Sequence, residues 1–138
     1  MSKIFINIIF FSLLLIIILT KDEKDKADDK IDKYKKEFES SVVTYLTDNF
    51  LYKNEVVIVD KKAFKSIFRD IMNTEGAKVF KVFQKIFNKV VDEFIKDAYP
   101  KGKKNIKATQ LHKIFEYEYV MEKFNTYVSK NNINEEDL

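Results

Sequence analysis

AKVFKVFQKIFNKVVDEFIKDA, residues 77–98, decides how the rest of the chain must fold. Val79, Phe80, Phe83, Ile86, Phe87, Val90, Val91, Phe94 and Ile95 recur at three- and four-residue spacing, while Lys78, Lys81, Lys85, Lys89, Asp92 and Lys96 fall opposite them. That alternation predicts a two-faced helix. At about 1.5 Å per residue it would run roughly 33 Å, long enough to cross a small domain. An apolar stripe with four phenylalanines cannot be left in water, so other helices must cover it.

Composition supports the same architecture. Two Gly and one Pro among 138 residues are too few for a hairpin-rich or loop-rich fold, which leaves an all-α domain. With no Cys, the chain has no disulfide, thiolate nucleophile or sulfur metal site, so stability must come from apolar burial. Thirteen Phe and seven Tyr can supply it. The net charge of +3 decides little, but its distribution is uneven. Residues 53–113 carry 15 Lys or Arg against 7 Asp or Glu, and residues 114–138 carry 2 against 6. A nucleotide bias towards Lys, Ile, Asn and Phe codons and a selected anion-binding face both explain that.

Outward from the central stretch, the chain divides into four parts. Residues 1–20 pair Lys3 with an uncharged apolar run and read as a signal peptide, or as an uncleaved signal anchor through residues 4–20. No A-x-A cleavage pattern is present, and the Lys-rich flank 21–36 bears on the orientation of an anchor. Residues 21–29, KDEKDKADD, read as a charged linker or frayed helix start. Residues 30–130 form the helical domain, and 131–138 a polar, frayed tail.

Within the domain, Ile31, Tyr34, Phe38, Val42, Tyr45 and Leu46 predict a first helix ending near Phe50. The β-branched run at Val56–Val59 predicts a short extended piece. Asp60 is the expected N-cap of a second helix carrying Phe64, Ile67, Phe68, Ile71 and Met72, with Gly76 as a left-handed cap behind it. A break over 98–105 and a cap at Thr109 lead into a fourth helix with Leu111, Ile114, Phe115, Met121, Phe124 and Val128. Tyr117 and Tyr119 stand two apart, so one of them should reach a surface.

Val59-DKKA-Phe64-KS-Ile67-Phe68 and Ile106-KATQ-Leu111-HK-Ile114-Phe115 share one pattern of apolar and polar positions, 47 residues apart. On these residues the chain resembles a degenerate EF-hand pair of the calgranulin and calcyclin type. The resemblance implies four paired helices, with Val59 and Ile106 meeting in a short two-stranded contact between the loops. The family's calcium chemistry does not carry over. A calcium loop needs oxygen ligands at positions one, three and five and a bidentate Glu at twelve. The first loop has Tyr52, Asn54, Val56 and Ala63 there, and the second Tyr99, Lys101, Lys103 and Gln110.

Catalysis and cofactors are not expected. His112 is the only His, so an imidazole metal site or a two-His relay cannot be built. The carboxylates Asp92, Glu93, Glu116 and Glu118 read as ordinary charged helix faces, and phosphate loops and nucleophile elbows are missing. Lys101, Lys103, Lys104 and Lys107 form a candidate anion-facing loop, suited to an anionic membrane surface; no base-stacking motif accompanies it, so nucleic acid is not expected. Glu135-Glu-Asp-Leu138 resembles endoplasmic-reticulum retrieval tails. The expected function is a secreted or secretory-pathway, non-enzymatic interaction module with an apolar groove for a partner peptide or helix. The alternative is a carrier of fatty acid or another apolar ligand. Phe80, Phe83, Phe87, Phe94, Phe115 and Phe124 are the candidate lining of that groove or cavity. A cavity of roughly 300 Å³ or more would favour the carrier, and a closed core with an exposed apolar patch the interaction module.

Overall fold

The computed structural model describes residues 21–51 and 56–138. The leader read over residues 1–20 and the first-loop positions Tyr52 and Asn54 lie outside them. Helix α1 (Lys21–Leu46) continues into a π-helical turn at Thr47–Leu51, and strand β1 (Ile58–Asp60) leads into α2 (Lys61–Met72). A 3₁₀ helix, Glu75–Ile86, passes directly into α3 (Phe87–Ala98). Strand β2 (Asn105–Lys107), a 3₁₀ turn (Ala108–Gln110), α4 (Leu111–Ile114), α5 (Tyr117–Lys130) and a last 3₁₀ turn (Glu135–Asp137) complete the chain. The fold is mostly helical, and its two short strands form one antiparallel ribbon. No helix among the described residues is long and apolar enough to cross a membrane.

The charged stretch from Lys21 is helical and continuous with α1, the helix-start alternative to a linker, because α1 propagates backwards from a strongly anchored half. Phe38, Val42 and Leu46 are buried on one face of α1, with Ile31, Tyr34 and Tyr45 packed against the core beside them.

Residues 75–98 depart from a uniform α-helix. Ala77, Phe80, Phe83 and Ile86 are all buried and recur at intervals of three. In an α-helix each three-residue step falls about 60° short of a full turn, so such a row would spiral out of the core. Winding as 3₁₀ stacks the four side chains in one straight line. Val82, which an α-helical reading would leave near the apolar stripe, is 50% exposed. At Ile86 (φ −109°, ψ 6°) the winding changes, and Val90, Val91, Phe94 and Ile95 return to α spacing. The 3₁₀ part adds about 2 Å per residue, so the element is longer and thinner than the sequence reading allows.

Gly76 serves a purpose other than the expected left-handed cap. Asn73 ends α2 in right-handed geometry, and the Thr74 hydroxyl donates to the Ile71 carbonyl at 2.7 Å. Gly76 is buried where the 3₁₀ helix crosses α1. A Cβ there would come within 2.0 Å of Ser41 Oγ and 2.2 Å of the Glu37 carbonyl oxygen. Asp60 is the N-cap expected of it, extended at φ −84° and ψ 176°, with Oδ1 accepting from the Ala63 amide at 2.7 Å.

The expected fourth helix is two. An uninterrupted helix from Leu111 would place Phe115, Glu118 and Glu122 on one stripe and ask the core to accept two carboxylates. Extending the backbone at Glu116 (φ −72°, ψ 139°) resets the phase, so that Tyr117, Val120, Phe124 and Val128 are buried and Glu118 reaches Lys35 of α1 at 2.6 Å. The Lys35 ammonium, hydrogen-bonded to Glu118, holds that carboxyl below its usual range. Tyr117 is buried, and Tyr119 is the half-buried member of the pair. Thr109 caps nothing; the Gln110 side chain accepts from the Lys107 amide at 3.0 Å instead.

The tail is folded back on the domain. Asn132 takes φ +51°, and the Ile133 amide donates to the Val128 carbonyl at 3.1 Å, a Schellman closure of α5. It returns Ile133 and Leu138 to the core's edge.

In the ribbon, Ile58 faces Lys107, Val59 faces Ile106 and Asp60 faces Asn105. Val59 and Ile106 point inward and are buried. Tyr99 pins this ribbon: its hydroxyl donates to the Val59 carbonyl at 2.7 Å in a buried position. Burial first, and then the Asp60 charge, push the Tyr99 phenol up to about 12 from an ordinary 10.0. A raised phenol stabilises the fold fully below pH 10 and loses that contribution as pH climbs towards 12. Alkaline unfolding is therefore expected to set in between those values. Tyr99→Phe should lose about 1 kcal/mol at neutral pH. It should also remove one of the late-titrating components of the tyrosinate absorbance, alongside those of Tyr45 and Tyr119, which burial and a carboxylate partner also hold above the ordinary range; a spectrophotometric titration reads this directly.

Candidate apolar groove

Five of the six phenylalanines expected to line a groove are core. Phe80, Phe83, Phe94, Phe115 and Phe124 are each at most 1% exposed. They pack on one another: Phe124 stacks on Phe83 at 4.7 Å and 5°, Phe80 lies 5.6 Å from Phe124, and Phe115 stacks 6.4 Å from Phe94. Rings at these separations satisfy each other and leave no inter-ring space for a ligand. The expectation that they line an open groove or cavity is corrected accordingly, because closing helices over the central stripe brings ring against ring.

Phe87 is the exception. It is half-buried, at the point where the 3₁₀ helix gives way to α3, and it lies on the floor of a surface groove of about 410 Å³ between α2 and α3. Phe68 and Val91 complete that floor. The Phe68 and Phe87 rings meet edge to face at 6.1 Å and 90°, which fixes the orientation of the half-buried ring. Lys65 and Arg69 of α2 stand on one rim, and Gln84 and Asn88 on the other. Lys65 bridges the groove's edge to Asp92 of α3 at 3.5 Å. Arg69 has no ion pair among the described residues.

Sequence reasoning missed Lys65, Arg69, Gln84 and Asn88 because they are spaced like ordinary solvated helix positions. One signal was available. Arg69 is the only Arg among 25 basic residues. In a chain that uses Lys everywhere else, a guanidinium whose fork matches a carboxylate stands out.

Two further depressions have other characters. One, of about 360 Å³, runs between α1 and the α4–α5 break, with Val42, Val43 and Phe115 below and Glu39, Glu116 and the exposed His112 around it. Another, of about 460 Å³, lies at the Gly76 crossing and is edged by Lys36, Glu37, Ser40 and Lys78. Among the described residues no group of three or more His, Asp or Glu is placed to hold a metal ion. Lys101, Lys103, Lys104 and Lys107 are exposed, in the loop before β2 and on β2 itself. At the far end of α3, Asp97 accepts from Lys123 and, at 3.0 Å, from the Tyr119 hydroxyl. The Lys123 ammonium holds the Asp97 carboxyl below its usual range.

Compared with family models, with curated proteins and with solved structures, the chain matches none.

Proposed function

We propose that the protein is a non-enzymatic helical interaction module that receives a partner peptide in the groove between α2 and α3. The half-buried Phe87 carries this reading, because an aromatic ring held by Phe68 and partly exposed on a groove floor supplies an apolar anchor site. The rim supplies specificity. Arg69, which makes no ion pair among the described residues, and the amides of Gln84 and Asn88 suit a partner carrying a carboxylate beside a bulky apolar side chain. The antiparallel pairing of Val59 with Ile106 supports the degenerate EF-hand pair as the scaffold of this module, used without a metal switch. The groove's volume also lies within the range of small-ligand sites, which favours a fatty acid as the second reading.

Peptide display on the full chain tests the proposal. Selected peptides are expected to share one large apolar residue next to Asp or Glu. Phe87→Ala and Arg69→Glu should each weaken the selected peptide at least about tenfold in calorimetry, the size of one lost anchor contact. Enrichment of peptides that bind both variants as well as the parent would sink the assignment. Tight binding of a fluorescent fatty acid, lost in the same two variants, would favour the carrier instead.

A further inference from the structure

The ribbon end of the molecule carries a second surface, separate from the α2–α3 groove. Ile58 is 62% exposed and Val56, two residues earlier, 75% exposed, although both are large aliphatic residues. The pleat explains Ile58: with Val59 and Ile106 turned into the core, its side chain and that of its partner Lys107 must stand on the outer face. Lysines surround this apolar pair. Lys61 and Lys62 follow β1, and Lys101, Lys103 and Lys104 lead into β2, so that with Lys107 six exposed lysines flank a three-residue ribbon. None of the six has an ion pair among the described residues. The one carboxylate within the ribbon, Asp60, is engaged by the Ala63 amide.

The arrangement is held in place. Gly102 at φ +89° turns the loop, the Lys103 amide donates to the Pro100 carbonyl at 2.8 Å, and the Tyr99 hydroxyl fastens the loop's base to β1. Gly102 is one of the few positions where the backbone needs a left-handed residue, and a Cβ would find open space but a strained φ.

We propose that this face docks on bilayers rich in anionic phospholipid, with Val56 and Ile58 entering the interfacial layer and the lysines seated on headgroup phosphates. Lys is a compact charge on a flexible stem and suits a field of mobile phosphates, and exposed aliphatic side chains gain by leaving water once the charges have brought them to the surface. Single-stranded nucleic acid is the weaker match, since Val56 and Ile58, the exposed large apolar side chains of this face, offer no ring for base stacking.

The chain contains no cysteine, so Ile58→Cys places a single environment-sensitive fluorophore on the ribbon of the full-length protein, and Val82→Cys places a reference probe on the 3₁₀ helix. A local probe distinguishes docking of the ribbon from membrane attachment through the apolar residues 4–20. With phosphatidylcholine vesicles containing about a third phosphatidylserine, the Ile58 probe is expected to shift to the blue while the Val82 probe stays unchanged. Reversing Lys101, Lys103 and Lys104 to Glu should raise the lipid needed for half the shift by about a hundredfold, and high salt should act in the same direction. The proposal is overturned by an unmoved Ile58 probe, by an equal shift on neutral vesicles, by an equal shift at Val82, or by single-stranded RNA producing the same shift.

Discussion

Phe124→Ala is expected to lower stability by about 3–5 kcal/mol, the cost of deleting a fully buried aromatic ring together with the cavity left behind. Phe124 meets four other rings, as many as Phe68 does. It stacks on Phe83 at 4.7 Å and lies 5.5 Å from Phe87, 5.6 Å from Phe80 and 6.4 Å from Phe68. It thereby ties α5 to α2, to the 3₁₀ helix and to α3 in one place. A domain of this size has only about 5–15 kcal/mol in total, so the substitution consumes a large part of it. Thermal unfolding followed by circular dichroism should show Tm lowered by roughly 10–25 °C. Phe124→Leu, which keeps more of the volume, should recover part of the loss. A fall of less than about 1 kcal/mol for Phe124→Ala would mean that the ring is not packed as described.

Gly76→Ala is expected to act through overpacking, where Phe124→Ala acts through a void. The added methyl would press on Ser41 Oγ and on the Glu37 carbonyl oxygen, and the second of these is backbone within a helix. It cannot rotate away, so α1 and the 3₁₀ helix must move apart. Overpacking of this kind costs about 1–3 kcal/mol and sometimes more. Ser41→Gly removes both Ser41 atoms from the clash but leaves the Glu37 carbonyl in place. The double variant should therefore regain part of the loss and not all of it, in denaturant unfolding of the four members of the cycle. Full recovery would locate the clash in the serine side chain alone. No loss in Gly76→Ala would show that the crossing is looser than the geometry requires.

Much of the helical framework was legible in the chain because the period of its apolar residues is a local property. The stripes around Phe38, Phe64, Phe94 and Phe124 fixed which residues are buried, and Asp60 announced its cap. The β-branched run before Asp60 marked the strand. The candidate groove was less legible. Phe80, Phe83, Phe94, Phe115 and Phe124 have the same sequence signature as Phe87, yet five are sealed by other rings and Phe87 is only half-buried. Burial depends on which helix arrives from elsewhere in the chain. Lys65 and Arg69 become the rim of a groove only when α2 lies against α3.

By itself the sequence determined a mostly helical domain stabilised by aromatic burial, since helical spacing of the apolar residues is the way this chain removes most of the ten phenylalanines of residues 30–130 from water. Three things were decided only in the tertiary structure: the 3₁₀ winding of residues 75–86, the break at Glu116 and the role of Gly76. Each is a response to a neighbour. Phe80 has to meet Phe38 of α1, and Phe80 and Phe83 have to meet Phe124 of α5, Glu118 and Glu122 have to be turned out of a core that other helices form, and α1 has to pass within contact of the Gly76 backbone. Such demands arise between segments distant in the chain, and local pattern carries no record of them.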